Sequence, residues 1–170
     1  NPEPSFPYLH IDETMDLSEA ELPEGSIKIG IGWEGNPEHS NNDERCCPLI
    51  HFKRLTEKLP NVKVFTLHQV LHESDYVLGA EDMELYGATL DDFYDTAKLI
   101  NAMDMVITVD TSVLHLAGAL NKKTFGLLSY RCDPRWDVED MIWYPSVQLW
   151  RQRYEDDWGD LFEQIEQELG

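Results

Sequence analysis

Short apolar segments alternate with amphipathic segments along most of this chain, and this alternation restricts the fold more than any other feature. Such apolar runs are typical of strands that are buried on both faces of a sheet. They lie at residues 27–33, 62–67, 104–109, 124–128 and 147–150, with residues 81–86 as a candidate for a further short strand. Because helical segments separate the strands, the pattern predicts an α/β fold: a parallel sheet with helices on both faces.

The amphipathic segments have the spacing of helices that place one apolar face on this sheet. They cover residues 48–59, 89–103, 113–120 and 158–169. The second of them begins with a T-x-x-D sequence, which predicts that Thr89 and Asp92 form its capping box. Pro48 fits the first position of the first helix. The segments at 34–47 and 129–145 are predicted as loops.

The beginning of the chain differs from the rest. It is rich in proline and acidic residues, which predicts an N-terminal extended arm or linker (residues 1–25) ahead of one domain (residues 26–170). No signal peptide is expected there, and no run approaches the ~20 apolar residues of a transmembrane helix. The three cysteines, Cys46, Cys47 and Cys132, have neither disulfide nor zinc spacing. A reduced, cytoplasmic setting is therefore expected.

The charge balance restricts the kinds of partner. The 170 residues carry a net charge of −20, with 13 Lys and Arg against 33 Asp and Glu. Nucleic acids and anionic membranes are not expected as partners, because binding their phosphates needs a surplus of basic side chains. The acidity is interpreted as a solvated surface. A few local cations and backbone dipoles would have to hold any anionic ligand.

A phosphate site is predicted after the strand at residues 104–109, because ligands of such sheets bind beyond the carboxyl ends of the strands. Asp110 ends this strand, and Thr111 and Ser112 open a helix whose unpaired N–H groups and dipole attract anions. His115 lies one turn later on the face of Thr111 and can add charge or a hydrogen bond. The alternative is that Asp110 and Thr111 only cap the helix and that His115 is a satisfied structural partner.

Two other loops are expected at the same edge of the sheet. The loop after the first strand contains Trp33, Gly35 and Asn36, and Gly35 permits a positive φ or a close backbone approach. The alternative for this loop is a simple turn. Arg45 further along it and Arg135 after the strand at 124–128 are candidates for phosphate contact.

Two aromatic residues and two cysteines remain open to interpretation. Trp143 and Tyr144 form either a stacking surface or part of the core, and for Trp143 the core is favoured. The adjacent Cys46 and Cys47 could be a redox pair, but no histidine partner is predicted beside them. An incidental pair is therefore favoured.

Several of these motifs, in this order and spacing, resemble a known family. The matching stretches are GWEGN (32–36), NDER (42–45), DDFYDTA (91–97), VDTSVLHLAGAL (109–120), DPRW (133–136), WYPS (143–146), LWRQ (149–152) and DW (157–158). Together they resemble the C-terminal domain of GT-B glycosyltransferases of the heptosyltransferase (family 9) type. Within that family, the chain looks most like bacterial proteins that join tetratricopeptide repeats to such a domain. The resemblance implies a Rossmann-like domain that is one half of a GT-B fold.

The resemblance also implies roles for particular residues. The domain would bind a nucleotide diphospho-sugar as its substrate, with no metal and no other cofactor. Asp110, Thr111, Ser112 and His115 match the diphosphate-binding turn, and residues 33–36 would face the donor. The helix near residue 91 would pack close to the nucleoside. The general base is expected on an N-terminal acceptor domain outside this chain, so no catalytic residue is assigned here and the chain alone is expected to be inactive.

The chain departs from the family pattern at two places. Cys46 and Cys47 stand where the family commonly has a small residue and a serine, and Pro134 stands within a motif that is often D-W-R-W. These departures motivate an alternative: a non-catalytic nucleotide-binding or scaffold module that retains the fold. A third interpretation is a free-standing nucleotide-binding protein of another α/β family, since a fold alone does not define a function.

Overall fold

The sheet has five strands, and all of its neighbouring pairs are parallel. The structure is a computed structural model that describes residues 5–20, 22–68, 83–137 and 143–170. The strands are β1 (Ile27–Gly32), β2 (Val62–Thr66), β3 (Met105–Val109), β4 (Thr124–Leu128) and β5 (Val147–Arg151). Their order in the sheet is β2-β1-β3-β4-β5. The predicted α/β fold, with its parallel Rossmann-like sheet, is therefore confirmed.

The strand order changes direction between β1 and β3. The chain runs outward from β1 to β2 and then returns to the other side of β1 to form β3. Gly32 at the end of β1 lies opposite Thr108 near the end of β3. In open parallel sheets the crevice at such a switch point is where ligands bind. The loops that follow β1 and β3 are thus placed side by side at that crevice.

Helices cover both faces of the sheet, as the sequence predicts. They are α1 (Asn42–Arg45), α2 (Ile50–Lys58), α3 (Phe93–Ala102), α4 (Ser112–Ala119) and α5 (Trp158–Leu169). Phe52 of α2 and Phe162 of α5 lie in the core on one face. Leu99 of α3 and Ala117 of α4 lie in the core on the other. Burial of these side chains is the main force that holds the layers together.

Some predicted boundaries differ from the observed ones. The predicted capping box at Thr89 and Asp92 is wrong, because α3 begins at Phe93 and Asp92 is its N-cap. The Asp92 carboxylate accepts the N–H groups of Tyr94 and Asp95. Thr89 instead ends a short 3-10 turn, and its hydroxyl donates to the Tyr86 carbonyl. Buried Leu90 lies between this turn and α3, so the chain must enter the core before the helix can start.

Two regions contain structure that the sequence pattern does not resolve. Helix α1 lies inside the predicted loop at 34–47, and its buried Asn42 accepts the N–H of Gly35. The candidate strand at 81–86 reduces to one bridge between Glu84 and Phe65, and residues 81 and 82 lie outside the described part. One short polar turn and one isolated bridge carry too little periodicity to be recognised from sequence.

The described residues before β1 form neither helix nor strand and lie against α3 and α4. The Leu9 N–H donates to the Ala119 carbonyl at 3.0 Å, and the Met15 N–H donates to the Lys98 carbonyl at 3.1 Å. Leu17 packs on the core that α3 and α4 share. The division into an arm and a domain at residue 25 stays a prediction. Within the described ranges, no helix is long and apolar enough to cross a membrane.

Candidate functional site

The turn from β3 into α4 forms the centre of the candidate site. Thr111 is the N-cap of α4, and its hydroxyl oxygen accepts the N–H of Val113 at 3.3 Å. Ser112, the first residue of the helix, is exposed. The N-terminus of a helix carries partial positive charge and N–H groups that point outward. The turn therefore offers donors to an anion at the switch point of the sheet.

Two cavities meet at this turn. Cavity A, of about 420 Å³, is lined by Glu34, Gly35, Leu67, His68, Asp91, Asp92, Phe93, Thr96, Thr111, Ser112 and Val113. Cavity B, of about 360 Å³, is lined by His39, Asn41, Arg45, Asp110, Thr111, Ser112, His115, Asp133 and Arg135. Thr111 and Ser112 belong to both. A ligand bound at the start of α4 can thus extend to either side.

Arg45 reaches back from α1 to the end of β3. Its Nη1 donates to the Asp110 carbonyl at 3.1 Å, and its Nε is buried without a hydrogen-bond partner. Its guanidinium covers Gly35, where an added Cβ would lie 2.5 Å from Nη2. Gly35 does not have a positive φ; among the described glycines only Gly25 does. The close approach allowed by Gly35 is therefore made by Arg45.

Arg135 lies at the outer wall of cavity B and pairs with Asp133. The Arg135 Nη2 is 2.9 Å from the Asp133 Oδ2. Hydrogen bonds from the Arg135 side chain and backbone lower the pKa of Asp133 to about 2. The guanidinium is exposed, so it can exchange part of this pairing for a ligand anion. Asp133 is not among the predicted site residues, although the D-x-R spacing that allows this pair is visible in the sequence.

His115 is held between two aromatic side chains. Its ring stacks on Trp136 at 5.3 Å between centroids, and its Nδ1 lies 3.1 Å from the Tyr144 hydroxyl. Burial is the main influence and lowers the pKa of His115, while Asp110 raises this pKa and Arg135 lowers it. Since the ordinary pKa of histidine is near 6.5, the ring is neutral at pH 7.

Three predicted residues follow β1, and only Gly35 lines either cavity. The Trp33 side chain is 3% exposed and belongs to the sheet core, and its backbone N–H donates to His68 at 3.1 Å. Asn36 is exposed, and its side chain accepts the N–H of Glu38. His68 instead lines cavity A. Its position two residues after the end of β2, at the same edge of the sheet, is the signal that could have found it.

The two aromatic residues after residue 142 differ in burial, and the prediction for one of them fails. Trp143 is 49% exposed, so its predicted place in the core is wrong. Tyr144 packs inward on Gly118 and against His115. Both residues interrupt a loop with no hydrophobic periodicity, and sequence alone does not distinguish which of two adjacent aromatic residues points inward.

The cysteines show no sign of activation. Cys47 is buried and Cys46 is half-buried, and burial raises the pKa of both thiols. Both are therefore protonated and unreactive at neutral pH. All three cysteines are free, and no cluster of histidine, cysteine and acidic side chains within the described ranges could hold a metal ion.

Comparison with known families decides the assignment. Residues 38–139, more than half of the chain, match the model of glycosyltransferase family 9 (heptosyltransferase). The chain belongs to glycosyltransferase family 9. The part that matches this family model contains Arg45, the Asp110–His115 turn and Arg135. No curated protein matches the chain.

One solved structure agrees with the family 9 assignment at the level of the fold. The chain is similar to the E. coli ADP-heptose LPS heptosyltransferase II, with 17% identity and a TM-score of 0.58 over 89% of this chain. It spans about half of that enzyme, 47% of its length. A weaker likeness links it to the wall teichoic acid polymerase TagF, with 16% identity and a TM-score of 0.42 over 86% of this chain and 37% of that one.

Proposed function

We propose that this chain is the donor-binding domain of a GT-B glycosyltransferase and that it binds a nucleotide diphospho-sugar at the N-terminus of α4. The observation that carries the proposal is that cavities A and B meet at Thr111 and Ser112. A nucleotide-sugar has a diphosphate in the middle, a nucleoside on one side and a sugar on the other. This ligand matches a site with donors at the centre and space on both sides.

Two arginines and a helix N-terminus offer positive charge to an anion at the turn, although acidic side chains also line both cavities. The net charge is −20, yet Arg45, Arg135 and the α4 dipole all lie at the turn. Asp110 contributes its carbonyl to Arg45 and thereby keeps this guanidinium at cavity B. In the proposal Asp110 orients the turn and is not the general base. Protein dipoles and cations, without a metal, neutralise the diphosphate.

The proposed reaction is transfer of the sugar to an acceptor hydroxyl. The acceptor oxygen attacks the anomeric carbon, the bond from that carbon to the phosphate oxygen breaks, and a general base takes the acceptor's proton. Negative charge develops on the departing diphosphate, where the α4 amides, Ser112, His115 and the two arginines stabilise it. Thr111 positions the first turn of α4, because it is the N-cap and its side chain accepts the Val113 N–H.

The general base and the acceptor site are assigned to an N-terminal domain outside this chain. This assignment is supported by the coverage of only 47% of heptosyltransferase II. The resemblance to bacterial tetratricopeptide-repeat glycosyltransferases adds such repeats as further partners. Because the two sides of the cleft must both supply groups, we expect this chain alone to bind the donor without transferring the sugar.

Calorimetric titration with UDP, ADP and GDP tests this function. One of them is expected to bind, and His115→Ala is expected to weaken that binding about tenfold or more, since a hydrogen bond to a charged ligand is lost. His10→Ala changes an exposed histidine outside both cavities and is the matched control. Failure of all three nucleotides to bind, or equal affinity in His115→Ala, would favour the non-catalytic scaffold interpretation.

The affinity for a nucleotide-sugar is expected to rise as the pH falls from about 7.5 to about 5.5. The free protein holds the pKa of His115 low, and a bound diphosphate raises it, so the complex takes up a proton in this range. Each pKa unit by which the bound diphosphate raises the pKa of His115 increases the affinity at low pH by at most about tenfold. Asp110 and Arg135 influence the pKa of His115 in the free protein, and the other charged or titratable groups that line cavity B with it are His39, Arg45 and Asp133.

A nucleotide-sugar is the right ligand for this measurement because its diphosphate has no ionisation in the range, unlike the terminal phosphate of a nucleoside diphosphate. His115→Gln should remove the pH dependence while keeping a hydrogen-bonding side chain. An equal slope in the wild type and in His115→Gln would show that another group titrates.

A further inference from the structure

A third cavity lies beyond the carboxyl ends of β4 and β5, away from the start of α4. Cavity C has a volume of about 210 Å³ and is lined by Glu44, Ser129, Tyr130, Arg131, Gln152, Glu155 and Asp156. This volume is below the roughly 300–1,000 Å³ of pockets for drug-sized ligands and suits a single small ring. The proposed phosphate site uses none of these side chains.

Gln152 forms the buried wall of cavity C. It follows β5 directly, its N–H donates to the Leu128 carbonyl at 3.0 Å, and the residue is 4% exposed. The Tyr130 N–H donates to its Oε1 at 2.9 Å. Because an N–H needs an acceptor, this bond defines the orientation of the amide. The amide nitrogen Nε2 is consequently a donor, and it is buried without a partner.

An unpartnered buried donor needs an explanation. Buried polar groups of folded proteins are almost always hydrogen-bonded, and a bound water, ion or ligand can be the partner of one that is not. Gln152 lines cavity C, so an acceptor atom of a ligand that reaches this residue would satisfy the donor. The ligand should therefore present at least one oxygen acceptor deep in the cavity.

The charges of cavity C define the class of that ligand. Three carboxylates, from Glu44, Glu155 and Asp156, face one guanidinium. The Arg131 Nε lies 2.7 Å from the Glu155 Oε1, so this cation is already paired. Carboxylates accept hydrogen bonds from hydroxyl groups, and cavity C lacks the α4 N-terminus that offers donors to a phosphate in cavities A and B. A half-exposed Tyr130 adds an aromatic surface. A neutral ring with several hydroxyl groups fits all of these features.

Cavity C adjoins the proposed diphosphate site. A narrow gap of about 10 Å³ lies between them: it shares Glu44, Ser129 and Arg131 with cavity C, and it shares Asn41 and Arg45, among others, with cavity B. A sugar in cavity C would thus lie on the same edge of the sheet as a diphosphate at α4. This proximity links the pocket to the transfer of sugars, and in this respect the inference rests on the proposed function.

We propose that cavity C is a carbohydrate subsite in which Gln152 Nε2 donates to an oxygen of a sugar ring. The sugar belongs either to the nucleotide-sugar donor or to the acceptor, and the chemistry of recognition is the same. Gln152→Glu tests this because the side chain keeps its shape and the acceptor for Tyr130, but exchanges the Nε2 donor for an acceptor oxygen. Gln148→Glu makes the same change at an exposed position of β5 and is the matched control.

The first arm compares nucleoside diphosphates with nucleotide-sugars by calorimetry, using UDP, ADP and GDP against UDP-glucose, UDP-N-acetylglucosamine, ADP-glucose and GDP-mannose. If the donor sugar occupies cavity C, the wild type and Gln148→Glu bind the nucleotide-sugar more tightly than the diphosphate. Gln152→Glu is expected to lose about five- to tenfold of affinity for the nucleotide-sugar, the effect of one hydrogen bond, and to keep its affinity for the diphosphate.

The second arm uses methyl glycosides of glucose, mannose and N-acetylglucosamine in saturation-transfer NMR without nucleotide. If the acceptor sugar occupies cavity C, the wild type and Gln148→Glu give a signal that Gln152→Glu loses. Tyr130→Ala removes an exposed ring and gives a second test should Gln152→Glu not fold.

The proposal is overturned if neither arm detects sugar binding, or if Gln152→Glu and Tyr130→Ala bind sugars as the wild type does. Absence of nucleotide binding in the wild type would instead contradict the proposed function. The two failures are distinguishable because the methyl glycosides need no nucleotide.

Discussion

Gly118→Ala is expected to destabilise the protein by about 1–3 kcal/mol, the usual penalty for adding a methyl group to a close-packed core. A Cβ at this position of α4 would lie 2.4 Å from the Cγ of Tyr144 and 2.8 Å from both Cδ atoms. The clash is with the face of a ring and not with the end of a flexible chain. Tyr144 must therefore move away, and His115 loses the partner of its Nδ1.

The intrinsic preference of helices for alanine opposes the destabilisation by the clash. The sign of the change in the free energy of unfolding therefore shows which of the two dominates. Alanine is favoured over glycine within a helix by roughly 0.5–1 kcal/mol. Gly159→Ala in α5, where no atom lies within 4 Å of the added Cβ, should show that gain and serves as the control. Urea denaturation of both variants measures the two free energies of unfolding.

A Tyr144→Ala background tests the cause of the penalty. Without the ring, Gly118→Ala should become neutral or stabilising, which gives a large coupling energy in the double-mutant cycle. If Gly118→Ala stabilises the protein as much as Gly159→Ala does, Tyr144 does not pack on α4 as described. The support that we describe for His115 would then be wrong as well.

The strands and the long helices could be predicted because their burial imposes a pattern on consecutive residues. The strand Thr124–Leu128 and the helix Trp158–Leu169 have the bounds that the sequence predicts. The first consists entirely of buried residues, and the second repeats its apolar positions with the period of a helix. The start of α3 could not be predicted in the same way, because Thr89 and Asp92 are both of residue types that cap helices and tertiary packing selected Asp92.

Only the part of the candidate site that is formed by one continuous stretch of backbone could be predicted from sequence. The D-T-S turn is local, since a strand end followed by a helix start defines both its position and its donors. Side chains that reach the turn from elsewhere depend on tertiary structure: Arg45 approaches across Gly35, while Trp33 from the same loop points into the core. Cavity C depends on Gln152 and Glu44, which are far apart in sequence, and no local pattern indicates it.

Ser112→Asp is expected to abolish binding of the nucleoside diphosphate, with an affinity loss of at least about a hundredfold. The new carboxylate would lie where the proposal places the diphosphate, and repulsion between charges about 4 Å apart amounts to about 4 kcal/mol at an effective dielectric constant of 20. The same carboxylate lies at the N-terminus of α4, where the helix dipole stabilises it by about 0.3–1 kcal/mol. The fold should therefore keep or gain stability while the ligand is lost.

The central claim is that the start of α4 binds the diphosphate, and calorimetry on Ser112→Asp and Ser112→Asn tests it most directly. Asparagine has nearly the shape of aspartate without the charge, at a position that is exposed in the structure. The account predicts that Ser112→Asn keeps its affinity within about threefold, which is less than one hydrogen bond, while Ser112→Asp loses it. Unchanged binding in Ser112→Asp would contradict the account, because a diphosphate at this turn cannot be insensitive to a carboxylate beside it.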